Sequence, residues 1–573
     1  MRFNWFTCLL VLGCGGCSTS TTRLPDAPVR IRWERDPESL DPMAQVNSRA
    51  VDVINLMHYS LLQTDFATGT MAPTLAAALP SVQFVGDSLT HLDYHLRDAT
   101  WDNGRPVLAT DVAFTLKLMH CPELPNEGER THFSFIRELL LDPADPRHFT
   151  LVCRGQAPEY RLDSGDFPIL PENPLDPTHS LRQFSLATLQ DWPRSTAPAP
   201  AVAALVQRYQ QADPGHHPER LAGCGPYQLA AWEGNHSLTL QRKKKWWGDR
   251  LPTAPLVLQA RPKQLQFLIL PDDAAATLAL RRHELDLYPQ VSARDFQRLQ
   301  ASATAHRELA FYSGPSYDIV IAGFNTRRPA FQDKLTRQAL SCLFDAKSLL
   351  AGTQLGQGSR TVGLLPPTSP FYNDSLPLPA YAPARAVALL RQAGWQQIGG
   401  TWKRAAQQLA FSVRYRADET TFETVALQFR AAAAAVGIPV ALRPTEASTL
   451  TEALRQGDFD VCVRKLKGNP FAFNFLPILH SQSVGEGNFT GFGTPASDRL
   501  LEAIAAVGQP GRKRLLLKQF QMMLQKEAPL APLFVLPYRL AADRHLVQVY
   551  PSGLRPGYSA ATLTWAATPS PDH

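Results

Sequence analysis

Apolar and polar positions repeat with two different periods between residues 92 and 119, and this change predicts a strand followed by a helix. Leu92, Tyr94 and Leu96 alternate with polar residues, as on one face of a half-buried strand. An Asn103-Gly104 pair then predicts a turn. Beyond the turn the apolar positions are spaced for packing along a helix: Val112, Phe114, Leu116 and Met119.

The same two patterns recur along the chain, which predicts a fold that mixes strands and helices throughout. Residues 29–33 alternate like a first strand, and residues 50–63 have the apolar spacing of a helix. With 573 residues the chain is too long for one compact core, so we expect two lobes or more. A content of 44% hydrophobic and 19% charged residues is that of a globular protein, neither disordered nor embedded in a membrane.

The charge of the chain argues against a nucleic-acid partner. The formal net charge is only +6, and the one dense cationic run is Arg-Lys-Lys-Lys at residues 242–245. Such a short run makes too few phosphate contacts for useful affinity at physiological salt. A solvated strand end explains it better.

The N-terminal segment predicts a lipoprotein. The apolar run at residues 5–12 is too short to span a bilayer but has the length of a signal-peptide core. It ends in Val11-Leu12-Gly13-Cys14, which looks like a lipobox in which Cys14 is lipidated. Cys17, preceded by Gly15-Gly16, is a second but poorer candidate, because Cys14 would stand where the lipobox has an apolar residue. An ordinary cleaved signal peptide is the other alternative. A polar stretch with prolines follows and is expected to act as a tether to the folded body.

Several motifs occur in a fixed order and carry a resemblance to one family. They include Leu96-Arg97, Trp-Asp-Asn-Gly-Arg-Pro at 101–106, Gly-Cys-Gly-Pro-Tyr at 223–227, Trp-Trp-Gly at 246–248 and Gly-Phe-Asn-Thr at 323–326. In this order they resemble the extracytoplasmic solute-binding proteins of family 5, which serve peptide and nickel ABC importers. The resemblance implies the α/β, two-lobed periplasmic-binding-protein fold (type II, the large peptide-binding class), with an extra subdomain on the first lobe.

The resemblance also implies how the chain is divided. Residues 1–13 would form a lipoprotein signal peptide and 14–28 the lipidated tether. The first lobe would comprise 29–315, with the extra subdomain at about 76–210. The second lobe would comprise 316–528, and 529–568 would return to the first lobe.

A carrier of this kind needs no catalytic residue, because a solute that touches both lobes stabilises the closed form. The sequence contains no Gly-x-Ser-x-Gly elbow, no His-Glu-x-x-His and no Walker loop. We therefore expect a protein that is not an enzyme and needs no cofactor. Its expected partners are a small-molecule or oligopeptide ligand, the permease subunits of an ABC transporter and the membrane, through the lipid anchor. It should be a monomer on the extracytoplasmic side of the cell envelope.

Residues 464–476 depart from the family pattern where specificity is set. Peptide-binding relatives place an Asp there, which pairs with the α-ammonium of the peptide. In this chain Gly468 or Asn469 takes that position, and Arg464 or Lys465 stands where a Trp is expected. Losing an anion and gaining cations argues against an ordinary free-amine peptide and suits a ligand with a carboxylate, a phosphate or no charge.

The candidate ligand-binding residues come from both lobes: Asn47, His58, Asn325, Lys465, Lys467, Asn469, Phe471 and Phe473. Six of these residues have a plain alternative. The cations could point to water on a strand edge, the two Phe rings and His58 could belong to the core, and Asn325 could stabilise a turn.

Other functions stay open at this stage. A nickel or metal-chelate carrier of the same family is one alternative, weakened by the absence of a His cluster. A ligand sensor with the same fold is another, as is a binding protein that has lost its transporter.

Two local points can also be checked. The five cysteines after the signal region are interpreted as core residues, with a Cys121–Cys153 disulfide as the alternative. Leu108 stands where relatives have a Ser or Thr N-cap. We expect Thr110 to cap the helix one turn later; otherwise the helix loses roughly 1 kcal/mol.

Overall fold

The computed structural model describes residues 26–44, 48–86, 88–193, 196–468, 470–471 and 473–566. The predictions on Cys14, Asn47 and Asn469, and those on the signal peptide and most of the tether, lie outside these residues.

Strands and helices are distributed along the whole described chain. The strands are β1 (Val29–Trp33), β2 (Leu62–Asp65), β3 (Thr70–Pro73), β4 (Ser81–Val85), β5 (Leu89–His95), β6 (Ile136–Leu141), β7 (His148–Arg154), β8 (Tyr227–Glu233), β9 (Ser237–Arg242), β10 (Gln264–Ile269), β11 (Leu287–Pro289), β12 (Leu309–Phe324), β13 (Ser359–Arg360), β14 (Gln396–Ile398), β15 (Thr401–Arg404), β16 (Gln407–Gln408), β17 (Phe411–Arg416), β18 (Val440–Thr445), β19 (Val461–Leu466), β20 (Leu530–Asp543), β21 (Leu546–Val547) and β22 (Thr564–Trp565). The α-helices are α1 (Ser48–Met57), α2 (Ala109–Met119), α3 (Glu127–His132), α4 (Tyr160–Asp163), α5 (Glu172–Leu175), α6 (Leu186–Gln190), α7 (Pro200–Ala212), α8 (Asp273–Arg281), α9 (Ala293–Ala301), α10 (Ala303–Glu308), α11 (Lys334–Ser341), α12 (Ala346–Gln354), α13 (Pro383–Gln392), α14 (Thr420–Ala435), α15 (Ala447–Gln456), α16 (Leu476–Leu479), α17 (Pro495–Ala506) and α18 (Pro510–Glu527).

One mixed sheet runs through both lobes, in the order β18-β17-β19-β12-β20-β11-β1-β10-β9-β8, with β13 beside β20. The long antiparallel strands β12 and β20 connect its two halves. Their register is interrupted between Pro315 and Ile319. On one side of this break β20 pairs with β11, and on the other β12 pairs with β19. The fold is therefore the predicted two-lobed α/β architecture, in which two strands cross from one lobe to the other.

Separate apolar cores fill the lobes. Strands β1, β9 and β10 and the buried face of α1 form the core of the first lobe, which the C-terminal residues Val549 and Tyr558 complete. The second lobe packs α11–α14 against its half of the sheet and α17–α18 on the opposite face. A further core joins the four-stranded sheet β4-β5-β7-β6 to α2 and α7 and forms an added layer beside the first lobe, here called the subdomain. The exact residue boundaries of the lobes remain a prediction.

The start of α2 corrects one local prediction. The helix begins at Ala109, directly after Leu108, and Thr110 does not cap it. Instead the carboxylate of Asp111 reaches back and accepts a hydrogen bond from Leu108 N at 2.9 Å. Its other oxygen accepts from Glu172 N at 2.8 Å, so one buried carboxylate ties together the starts of α2 and α5.

The five cysteines of the described chain are free thiols, and four of them are buried. Cys121 and Cys153 therefore form no disulfide in this structure. Among the described residues, no helix combines the length and the apolar character needed to cross a bilayer.

Candidate functional site

A cavity of about 320 Å³ lies where the first lobe, the second lobe and the C-terminal segment meet. Its charged lining residues are divided by sign. Carboxylates come from the first lobe and the subdomain, whereas cations come from the second lobe and the C-terminal segment. The charged and polar residues that line it include Asp52, Asp65, Asp166, Lys467, Arg555 and Tyr558.

Helix α1 presents Asp52 to this cavity because the apolar residues of the helix pack into the core of the first lobe. Ala50, Val53, Ile54 and Met57 are buried in the core of the first lobe, at the spacing of one helical face. Arg49 and Asp52 lie three residues apart on the remaining side and form an ion pair of 3.6 Å. The side chain of Arg49 is 1% exposed and that of Asp52 is 10% exposed.

Arg49 is directed mainly to Glu34, to which it donates a short hydrogen bond. Burial opposes ionisation of Glu34, but the charge of Arg49 prevails and holds the pKa of Glu34 below its ordinary range. For Asp52 the balance is reversed. Burial raises its pKa to about 6, although the charges of Arg49 and Lys467 act against this. Asp52 is thus a buried carboxylate that its surroundings stabilise incompletely.

Strand β19 brings the predicted cations of the second lobe to the cleft. It lies between β17 and β12, so it is an interior strand, and the alternative of a strand edge is wrong. Side chains alternate along a strand, which separates Lys465 from Arg464. Lys465 Nζ lies 3.7 Å from Asp318 Oδ2, whereas the Arg464 guanidinium stacks 5.0 Å from the centre of the Phe489 ring.

Asp318 also binds Arg555, which comes from the C-terminal segment. Arg555 Nε donates to Asp318 Oδ2 at 3.0 Å, and Nη2 makes a second, shorter bond to the same oxygen. Burial opposes ionisation of Asp318, but the charges of Lys465 and Arg555 keep its pKa low. This cluster joins the second lobe to the segment that completes the first.

Lys467 follows β19 and lines the cavity. Its ammonium group makes no hydrogen bond or ion pair with any described residue. Burial, together with the charges of Arg555 and Lys465, lowers its pKa to about 8. It is therefore a cation in the cleft that the described protein leaves without a counter-ion in direct contact.

Gly468, which follows Lys467, cannot be replaced by the Asp that peptide-binding relatives are expected to have at this position. A Cβ atom built on Gly468 would lie 2.5 Å from the carbonyl oxygen of Tyr317. Such a contact requires the backbone to move, so the close approach of the two chain segments requires glycine at 468.

The subdomain and the second lobe also touch outside the cavity. Lys513 Nζ on α18 lies 2.5 Å from Glu159 Oε1, and both side chains are largely buried. Beside this pair, Tyr160 Oη donates to the carbonyl oxygen of Ala505 at 3.1 Å. Gln156 N donates to the carbonyl oxygen of Ala506 at 3.0 Å. These contacts hold the lobes together in the conformation described.

The other predicted site residues lie in different surroundings. His58 directly follows α1, is 1% exposed and is absent from the cavity lining. Burial and the charge of Lys243 lower its pKa to about 3, so it is neutral. Asn325 uses its amide inside the second lobe, where Nδ2 donates to the carbonyl oxygens of Gly457 and Phe459 at 3.0 and 2.9 Å.

The two aromatic candidates also separate. Phe473 packs edge-on against Phe371 in the second lobe, with ring centres 4.7 Å apart. Phe471 instead packs against the core of the subdomain and so crosses between the lobes. Of the described candidates, the structure thus brings Lys465 and Lys467 together at the cleft.

Sequence reasoning missed Asp52, Asp318 and Arg555. Asp52 carried a usable signal, since it is a charged residue within an apolar helix and lies three residues after Arg49. The role of Arg555 depends on the chain returning to the cleft some 240 residues after Asp318, which no local pattern reveals.

The comparisons with known proteins agree with this architecture. The model of the family described as "Bacterial extracellular solute-binding proteins, family 5 Middle" matches residues 70–485. The di/tripeptide-binding protein 3 of Pseudomonas aeruginosa is 22% identical over 515 residues, which cover 87% of this chain and 88% of that protein.

Two solved structures share the fold. The oligopeptide-binding protein AppA of Bacillus subtilis, in complex with a nonapeptide, superposes with a TM-score of 0.77 at 18% identity and covers 95% of this chain and 99% of AppA. NikZ of Campylobacter jejuni, in complex with Ni(L-His), has a TM-score of 0.73 at 17% identity and covers 94% of this chain and 100% of NikZ.

The chain belongs to family 5 of the bacterial extracellular solute-binding proteins. It is thus a substrate-binding protein of the kind that serves ABC importers, and not an enzyme. No group of three or more His, Cys, Asp or Glu side chains within the described ranges is arranged to hold a metal ion.

Proposed function

We propose that this chain is the lipid-anchored, extracytoplasmic solute receptor of an ABC importer. Cys14 carries the lipid, the two lobes enclose a peptide-like or other organic solute, and the closed form delivers that solute to the permease. The observation that supports this proposal is the cavity itself, because Lys467 of the second lobe lines it together with carboxylates of α1 and the subdomain.

The size of the cavity favours a small solute. About 320 Å³ is near the lower end of the range for ligand pockets in proteins. A long peptide, like the nonapeptide bound by AppA, would need the lobes further apart. A solute of roughly two amino-acid residues fits the space better.

The charges suggest how binding drives closure. A solute that contacts α1 on one side and Lys467 on the other is bound fully only when the lobes meet. Its binding energy then adds to that of the direct contacts between the lobes, such as Glu159 with Lys513. Closure is thus a shift of population toward the form that the permease recognises.

Mass spectrometry of the solute that co-purifies with the full chain, extracted in detergent and then denatured, tests this function. We expect one class of small organic solute at near-stoichiometric amounts. K467M should lower the occupancy, whereas the matched variant K244M, which removes an exposed lysine outside the cavity lining, should not. A protein that carries no solute and binds none from a concentrated cell extract would contradict the proposal.

A metal-chelate carrier is the second candidate, because NikZ, a structure of the same fold, holds Ni(L-His). The same experiment separates the two, since a chelate releases a metal that elemental analysis detects. The anchor has its own test: C14S should move the protein from the membrane to the soluble fraction, and C17S should not.

A further inference from the structure

Asp52 is a carboxylate whose hydrogen-bonding capacity is not used by the described protein. Its side chain is 10% exposed and lines the cavity. Its Oδ2 atom accepts no hydrogen bond from any described residue. Leaving a buried carboxylate oxygen without a donor is costly, so the site is complete only when something else supplies one.

The neighbouring cations do not supply that donor. Arg49 Nη1 lies 3.6 Å from Oδ2, beyond hydrogen-bond length, and the same guanidinium donates to Glu34. Arg555 is directed to Asp318. No described residue therefore donates to the Oδ2 atom of Asp52, and the cavity that Asp52 lines is a source from which a donor can come.

The remaining walls of the cavity show which chemistry suits it. Asp52 forms the acidic wall of this space together with Asp166 of the subdomain, whose pKa burial raises to about 7. Lys467, which lacks a direct counter-ion among the described residues, lines the same space. A solute with one charge of each sign meets both needs, and its amine end belongs with the acidic wall.

We propose that Asp52 binds the ammonium group of a small zwitterionic solute, such as a dipeptide, while Lys467 binds its carboxylate. This inference rests on the proposed function and names the substrate class of that site. The ammonium would lie against the first lobe, whereas the family resemblance implies an ammonium site on the second lobe, at the position where this chain has Gly468 or Asn469. The inference also revises the expectation that the loss of that Asp excludes free-amine ligands.

Calorimetric titration with three matched probes tests the assignment. The probes are Ala-Ala, N-acetyl-Ala-Ala, which lacks the amine, and Ala-Ala amide, which lacks the carboxylate. The full chain, freed of its co-purified solute, should bind Ala-Ala best. Binding should weaken by roughly 10- to 100-fold when one charged hydrogen-bonding partner is removed. D52N titrated with Ala-Ala lacks the carboxylate, and the unchanged protein titrated with the acetylated probe lacks the amine.

D374N is the matched control. Asp374 lies outside the cavity lining, and its side chain is 86% exposed. This variant should bind all three probes as the unchanged protein does. D52E should restore part of the affinity, and the melting temperature of each variant shows whether it folds.

The outcomes separate this inference from the proposed function. If D52N binds Ala-Ala as tightly as the unchanged protein does, the role of Asp52 is overturned. The same holds if the acetylated probe binds the unchanged protein as tightly as Ala-Ala does. If none of the three probes binds, the zwitterion assignment is wrong. The receptor function then stands if a stoichiometric solute co-purifies, and it fails as well if none does.

Discussion

Replacing Lys513 with Met should weaken closure of the lobes without touching the cavity. The Lys513 side chain is 4% exposed and that of Glu159 is 16% exposed. In K513M, Glu159 would be buried against the second lobe with no cation, and its Oε2 atom already accepts no hydrogen bond from the described residues. When the lobes part, water reaches Glu159, so the penalty applies only to the form in which they touch.

The size of this penalty follows from the burial of the pair. Removing one partner of a buried ion pair costs about 3–5 kcal/mol. We therefore expect ~3 kcal/mol, which corresponds to a roughly 100-fold lower ratio of closed to open protein.

Energy transfer between one dye on each lobe measures this ratio, and calorimetry measures the affinity for the co-purified solute. The solute should bind K513M up to 100-fold more weakly, and E159Q/K513M should recover most of the loss. K334M is the control, because Lys334 pairs with Glu527 within the second lobe at 3.3 Å. An affinity of K513M within twofold of the unchanged protein would refute the reasoning.

The other predictions concern ionisation and buried hydrogen bonds. Affinity for a zwitterion should be highest between about pH 6 and pH 8, because Asp52 must be ionised and Lys467 protonated. Calorimetry should show that K467R keeps its affinity at a higher pH than the unchanged protein does. Burial opposes protonation of His132, but the charge of Asp163 and its hydrogen bond prevail and raise the pKa to about 9. The folded protein therefore holds this proton where the unfolded chain, with a pKa of about 6.5, does not, so stability should be fully present below pH 6.5 and fall by up to ~3 kcal/mol by pH 9. Urea titrations of H132Q should lack this decline. Finally, D111A leaves buried backbone donors unpaired at the starts of α2 and α5 and should cost about 3 kcal/mol in the same assay, whereas D111N should cost less.

The fold could be predicted from the sequence because its signals are local and ordered. Strand alternation, the turn before α2 and the motifs at 223–227 and 246–248 each depend on a few neighbouring residues, and their order along the chain identifies the architecture. The cap of α2 was predicted wrongly because the acceptor is Asp111, at the third position of the helix, whereas Thr110 was expected to cap it.

The site was harder to predict, because its charges meet only after the chain has crossed between the lobes. Lys465 and Lys467 were identifiable as departures from the family pattern. Their partners were not, since Asp318 belongs to a crossing strand and Arg555 to the returning C-terminal segment. The sequence left both a ligand and a turn open for the amide of Asn325, and the backbone carbonyls that it binds cannot be identified from composition.

The pairing of β12 with β20 has a consequence for how the protein is made. Pro315 lies opposite Pro537 at the crossing, so the chain leaves the first lobe and returns to it at almost the same point, with some 220 residues between. The second lobe is therefore an insertion whose ends already meet, and it can fold as a unit while the chain is still emerging. The first lobe begins earlier but must wait for β20 and for Tyr558, among the last residues of the described chain. A truncation at the C-terminus should therefore damage the N-terminal lobe, while the second lobe remains folded.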